Sequence, residues 1–192
     1  MTRVLSLLLV IFPFVLIQWR DRTLQQIEIH HFPAGTIVKR ERMLSKDWIW
    51  EAPHDWEALP AQQLRLATYK IQAGTGILEL AVSELPGDAG GLLSNVNRWR
   101  GQLALMPLDA MGLPLSVREL SKSKNGARIV DIPSEGEPSP DGRAMLVGLL
   151  ETPRATTFFK LSGDGASLGA GKDGFLAFLA GIRKRNPEGS IR

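Results

Sequence analysis

The 192-residue chain is 44% hydrophobic and 22% charged, with a formal net charge of +3, the balance of a globular protein. It has no cysteine, which excludes disulfides, cysteine-held zinc, iron–sulfur clusters, thiol catalysis, haem attachment through Cys and a lipid-modified N-terminal cysteine. The mild positive charge is spread along the chain rather than gathered into the strong footprint that nucleic-acid binding needs, so no nucleic-acid partner is expected.

Residues 4–17 are apolar except for Ser6, are interrupted by Pro13, and run into Gln18-Trp19-Arg20. A full span takes about 20 apolar residues, so the run is short. Yet Gln18, Trp19 and Arg20 make a poor cleavage site for a signal peptide. The reading is an uncleaved signal-anchor over 1–22, with Trp19 at the lipid–water interface. A cleaved signal peptide is the alternative. A soluble core helix fits less well, because no polar face appears at helical spacing. Arg3 on one side and Arg20 and Arg22 on the other bring the positive-inside rule close to a tie. Residues 23–46 read as a tether. Within it, His30 and His31 would point apart on a strand, a poor metal pair. His54 lacks a second ligand at i, i+4, so no metal and no cofactor are expected.

A single domain is expected over 47–185, with a frayed tail over 186–192. Residues 48–53 look like a strand entering a turn. Residues 64–71 alternate as a strand does, Gly74-Thr75-Gly76 is a turn, and residues 77–85 complete a hairpin. Leu92, Val96, Trp99 and Leu103 then recur at i, i+4, i+7 and i+11, which makes a helix with one apolar face. Asp88 suits the helix N-cap, and Pro107 stops the helix at Met106 or earlier. Residues 108–113 suggest a short helical turn ended by Pro114. Residues 115–120 and 127–132 read as strands around an Asn125-Gly126 hairpin. Residues 133–142, rich in Pro, Ser, Glu and Gly, read as a long mobile loop. Residues 144–150 are apolar throughout, as in a strand covered on both faces, and 156–161 give the last strand. Phe175, Phe178, Leu179 and Ile182 mark a closing helix with Arg183, Lys184 and Arg185 at its C-terminal end. Gly169, Gly171 and Gly174 leave its start open, since each costs about 1 kcal/mol in a helix interior. The sum is an α+β fold, a mostly antiparallel sheet with helices packed on its faces.

The helix over 92–103 carries the densest run of unusual polar residues. Opposite its apolar stripe lie Ser94, Asn97, Arg98 and Gly101, at i, i+3, i+4 and i+7. One reading is an ordinary solvated face with Trp99 in the core. The other is a recognition surface in which Ser94, Asn97 and Arg98 meet a partner. Arg98 and Arg100 project about 200° apart around the helix. Arg100 therefore borders the apolar stripe, and its guanidinium is expected on a carboxylate or on loop carbonyls, a structural role.

The stretches Trp50-Glu51-Ala52-Pro53, Leu66-Ala67-Thr68-Tyr69, Pro86-Gly87-Asp88-Ala89-Gly90-Gly91, Asn95-Val96-Asn97-Arg98-Trp99-Arg100-Gly101-Gln102 and Thr157-Phe158-Phe159-Lys160-Leu161, with the helix over 175–182, resemble an uncharacterised family of bacterial extracytoplasmic proteins. The resemblance covers roughly 47–183 and is similar in turn to the broader PsbP/Mog1-like α/β/α sandwich class. It implies accessory or partner-binding proteins and brings no catalytic residues with it; the glycines of the closing helix depart from its pattern. With the anchor, it implies a single-pass protein of the cell membrane whose folded domain is extracytoplasmic (periplasmic), with a protein partner.

Known catalytic patterns are missing. Gly87-Asp88-Ala89-Gly90-Gly91 lacks the Gly-Lys-Ser/Thr of a P-loop and the Gly-x-Gly-x-x-Gly dinucleotide spacing. His-Glu-x-x-His does not occur, and the one Gly-x-Ser-x-Gly spacing, Gly165-Ala166-Ser167-Leu168-Gly169, lacks the Ser…Asp/Glu…His order of its hydrolase motif because all three histidines precede it. Two functions stay open: a membrane-tethered binding or assembly module, and a hydrolase or lyase with an unrecognised carboxylate/arginine site, such as Glu79 with Glu84 or Asp131. A concave pocket holding Arg98 or Arg100 and two carboxylates would favour the second, and a shallow, polar surface the first.

Overall fold

The computed structural model describes residues 45–121, 123–134, 137 and 139–185. The expected anchor, the tether up to its last two residues, and the tail lie outside the described residues, as do three positions of the expected mobile loop. Among the described residues no helix is long and apolar enough to cross a membrane. Ser45 already belongs to the fold. Its buried hydroxyl donates to Glu84 Oε2 at 2.6 Å and accepts the Trp48 amide at 3.0 Å.

In chain order the elements are β1 (Trp48–Ile49), β2 (Glu57–Ala58), β3 (Ala67–Ala73), β4 (Gly76–Pro86), α1 (Leu92–Gln102), α2 (Leu113–Ser116), β5 (Val117–Glu119), β6 (Arg128–Ile132), β7 (Arg143–Glu151), β8 (Ala155–Asp164), α3 (Gly165–Gly181) and β9 (Arg183–Lys184). Seven strands form one antiparallel sheet in the order β2-β3-β4-β8-β7-β6-β5. β1 and β9 form a separate antiparallel pair. The fold is α+β. Side-chain alternation assigns the two faces. Leu78, Leu80 and Val82 of β4, Leu146 and Leu150 of β7, and Phe159 and Leu161 of β8 pack with Phe175, Phe178 and Leu179 of α3. On the other face, Val130, Ile132, Met145, Val147, Leu149 and Phe158 pack with Val96, Trp99 and Leu103 of α1. β7 is thus apolar on both sides because helices cover both sides, whereas β8 turns polar on the α1 face at Lys160.

Several elements differ from the sequence reading, each for a local reason. Pro114 opens α2 instead of ending a turn; proline's missing N–H is harmless in a first turn. α3 starts at Gly165 and runs through Gly169, Gly171 and Gly174. Asp164 caps it by accepting the Ser167 amide at 2.8 Å. Gly171 lets α3 approach the sheet, since a Cβ there would come 2.6 Å from Leu78 Cδ1 and 3.3 Å from Ala73 Cβ. The helix ends at Gly181, so Arg183 and Lys184 leave it and pair with Ile49 and Trp48. The side-chain amide of Asn125, from the β5–β6 hairpin, donates to the carbonyls of Leu179 (2.8 Å) and Ile182 (2.9 Å) and closes the helix end.

The glycines of the α3 face predict opposite responses to an added methyl. Gly169 and Gly174 are exposed, and a Cβ on either meets nothing within 4 Å. Gly169→Ala and Gly174→Ala should each stabilise the domain by about 0.4–1 kcal/mol. Gly148 lies under Leu179, whose Cδ1 and Cδ2 would stand 2.5 and 2.7 Å from the new Cβ. Gly148→Ala should destabilise by about 1–3 kcal/mol. Urea unfolding midpoints check all three, and equal shifts at all three positions would contradict the packing described.

Candidate functional site

The entrance to α1 is built from backbone rather than from a charged cap. Gly87, Ala89, Gly90 and Gly91 all take positive φ (56°, 56°, 82° and 88°). Asp88 is not the helix cap. Its Oδ1 accepts the Gly90 amide at 3.1 Å, inside the turn, while Gly91 occupies the N-cap without a side-chain hydrogen bond. Three residues with positive φ, Ala89, Gly90 and Gly91, separate Asp88 from α1, placing its carboxylate short of the helix amides. Asn95, buried, takes over the stitching, donating to the carbonyls of Ala89 (2.9 Å) and Gly91 (2.8 Å).

Asn97, expected on the outward ridge, is engaged with the loop that follows the helix. Its Nδ2 donates to the Leu108 carbonyl at 2.9 Å and its Oδ1 accepts the Leu108 amide at 2.7 Å. A side-chain amide offers the donor and acceptor of a peptide unit, so Asn97 pairs with Leu108 as a neighbouring strand would. No spacing in the sequence signals this, because it depends on the path of the loop. Trp99 is 3% exposed and meets Phe158 edge-on, centroids 5.3 Å apart. Arg100 is buried; its Nη1 and Nη2 donate to Glu137 at 2.8 and 2.6 Å, and its Nε donates to the Met106 carbonyl at 2.6 Å. These hydrogen bonds hold the Glu137 carboxyl below the usual carboxylate range, against the opposing effect of burial. Of the three residues expected to meet a partner, Ser94 and Arg98 stay exposed.

Arg98 stands at the rim of a cleft that sequence reading did not identify. The register of β3, β4 and β8 sets Thr68, Ala81 and Lys160 in one row across the sheet and Ser83 beside Phe158 in the next. α1 covers the Phe158 side of this face and leaves the other side open. The result is a cleft of 230 Å³ with Ala81, Ser83 and Lys160 along its floor, Arg98 and Gln102 on the helix wall, and Gln63, Leu64 and Arg65 on the opposite lip. Leu64 has φ +63° and is 76% exposed. The turn brings Arg65 back over the sheet, where its Nη1 meets Glu79 at 2.8 Å. Lys160 Nζ donates to Gln102 Oε1 at 3.1 Å, and Arg98 Nη2 to Asn95 Oδ1 at 2.7 Å. Burial, first, and the neighbouring Arg65 charge push the Lys160 amine below its ordinary value; Glu79 opposes them and Arg98 adds to them. Two stretches singled out in the sequence, 95–102 and 157–161, meet here, a convergence that only the strand register reveals.

A second cleft, 470 Å³, lies on the other face near the sheet edge and is lined by Ser116, Arg118, Asp131 and Lys172 among others. Asp131 is held between Arg118 Nη2 and Lys172 Nζ, each at 3.1 Å. The carboxylate pairs considered from sequence do not assemble. Glu79 and Glu84 are five residues apart on β4 and point to opposite faces, about 17 Å along the strand. Asp131 lies on β6, separated from β4 by β8 and β7, about 14 Å across the sheet. Among the described residues no three His, Cys, Asp or Glu side chains group so as to hold a metal. No family model and no curated protein matches the chain.

The packing of α1 sets expectations for its two anchoring side chains. Trp99→Ala should cost about 3–5 kcal/mol. Arg100→Ala should cost about 2–3 kcal/mol, somewhat less than a fully buried pair because Glu137 can rehydrate. The lowered carboxyl of Glu137 contributes stability that is complete above the ordinary carboxylate range and is lost as the pH falls through its folded value. Acid melts of Arg100→Met should therefore show a shallower loss of stability with falling pH than the unsubstituted protein. Parallel acid profiles would remove the ion pair from the account.

Proposed function

We propose that the protein is a membrane-tethered, extracytoplasmic binding module, held by its N-terminal apolar segment and engaging its partner through the cleft beside α1. The observation that carries this reading is the cleft's charge. Arg65, Arg98 and Lys160 line it, and no described carboxylate does. Such a lining attracts and orients an anionic group, whereas hydrolysis by paired carboxylates needs an acid and a base converging on one bond. Asn97 and Arg100 hold α1 to its loops, which keeps the wall that presents Arg98 in place. An antiparallel sheet with helices on both faces is compatible with the PsbP/Mog1-like class that the motifs resemble, and binding through a sheet-and-helix cleft suits the accessory role of that class.

A hydrolase or lyase would use the other cleft, where Arg118, Asp131 and Lys172 come together. Among the described residues its one lining carboxylate is already engaged by two cations, which favours an ion-pair network at the sheet edge.

Fractionation and capture test the proposal together. The full-length chain should stay with membranes after a carbonate wash; a shortened, freely soluble protein would replace the anchor with a cleaved signal peptide. Arg98→Glu and Lys160→Met should each abolish capture of the protein's partner from solubilised membranes while the fold still melts cooperatively. Ser94→Ala should retain it. Capture indifferent to both cleft substitutions would defeat the binding reading, and an enzymatic activity lost in Asp131→Asn would establish the alternative.

A further inference from the structure

The cleft beside α1 holds more positive charge than its own residues neutralise. Arg65, Arg98 and Lys160 converge on it from a loop, a helix and the sheet floor. Beside the cleft and outside its lining, Glu79 is ion-paired with Arg65. The oxygens that engage Arg98 and Lys160 belong to the neutral amides of Asn95 and Gln102. A guanidinium has five N–H donors and an ammonium three, so each keeps donors for a ligand. Ser83 adds a hydroxyl to the floor. From this arrangement we infer that the cleft binds the phosphate of a phosphomonoester, an inference that rests on the binding reading above.

Charge and shape both select this group. Among the described residues, three cations against one carboxylate leave two positive charges unbalanced, which suits a dianion better than a carboxylate or a phosphodiester. Donors arriving from three directions suit a tetrahedral anion. A planar carboxylate is met best by a single guanidinium fork. The 230 Å³ cleft also has room for the first atoms of the ester group beside Leu64 and Leu85. The half-buried Lys160 amine is pushed down by burial and by Arg65 and Arg98, and a bound dianion would favour its charged form. A soluble metabolite and a lipid headgroup can both present this chemistry.

The test is calorimetric titration of the purified full-length chain with inorganic phosphate, glycerol 3-phosphate and acetate. It is paired with co-sedimentation on phosphatidylcholine vesicles with and without phosphatidic acid. Both phosphates should bind saturably and compete with one another, and acetate should displace neither. Arg98→Gln and Lys160→Met should each weaken binding by about tenfold or more, while Ser94→Ala binds as the unsubstituted chain does. Should Lys160→Met fail to fold, the exposed Arg98→Gln carries the test. Sedimentation with phosphatidic acid vesicles, released by glycerol 3-phosphate, would support the inference with a lipid source. Binding of the soluble ester without vesicle retention would support it with a soluble one. No saturable binding of either phosphate at millimolar concentration, acetate binding as tightly, or phosphate binding unchanged by the substitutions would overturn it. In that event, partner capture that still depends on Arg98 and Lys160 leaves the binding module standing without phosphate. Capture that ignores them removes both.

Discussion

A seven-stranded sheet is wider than one helix. At about 4.8 Å per strand the sheet spans close to 30 Å, while a helix with its side chains is about 10–12 Å across. Each face of this sheet carries one long helix, so each must deal with strands that its helix does not reach. The α3 face solves the problem with aromatics. Trp50 meets Phe159 edge-on, and Trp56 lies between Tyr69 and Phe178. The α1 face leaves its uncovered strands polar: Lys70, Glu79, Ser83 and Lys160 take positions that would otherwise need a cover. The cleft follows from that mismatch in width.

What remains is to hold α1 over one side of its face. Val96, Trp99 and Leu103 supply the contact with the sheet, but an apolar stripe by itself lets a helix roll. Arg100 prevents this by reaching a carboxylate and a carbonyl on two different loop segments. Asn97 adds a two-point tie to Leu108. Burying an arginine is expensive unless its donors are met, and here all three guanidinium nitrogens have partners. The anchored residues on either side of Arg98 therefore fix the rim of the cleft while leaving Arg98 itself exposed.

The sequence was readable wherever one residue's periodicity decides its environment. β3, β4, β7 and β8 alternate or stay apolar as their two faces demand, and α1 announces itself through Leu92, Val96, Trp99 and Leu103. It was unreadable where the deciding partner is distant in the chain. Gly171 looks like a helix breaker until Leu78 and Ala73 are seen pressing on it. Asn97 looks like a solvated ridge residue until the loop returns with Leu108. Arg183 and Lys184 look like a basic helix end because their strand partners are at the other end of the domain. The cleft was hidden for the same reason: Arg65, Arg98 and Lys160 come from separate elements, and register alone brings them together.

Backbone strain marks the same walls. Among the described residues, three non-glycine residues have positive φ: Leu64, Ala89 and Ala104. For such residues the left-handed region costs about 1–2 kcal/mol, so it persists only where surrounding contacts require it. Ala89 and Ala104 bracket α1. Ala89 turns the chain into the helix, and Ala104 occupies the left-handed position of a Schellman stop, with the Leu105 amide donating to the Arg100 carbonyl at 3.0 Å and the Ala104 amide to the Gly101 carbonyl at 3.2 Å. That stop turns the chain sharply enough for Met106 to present its carbonyl to Arg100. Leu64 reverses the opposite lip and delivers Arg65 to Glu79. A loop free of other demands would relax such a residue or hold glycine there. The strain thus falls on the turns that set the two walls of the cationic cleft, and the contacts made by Arg65 and Arg100 are what sustain it.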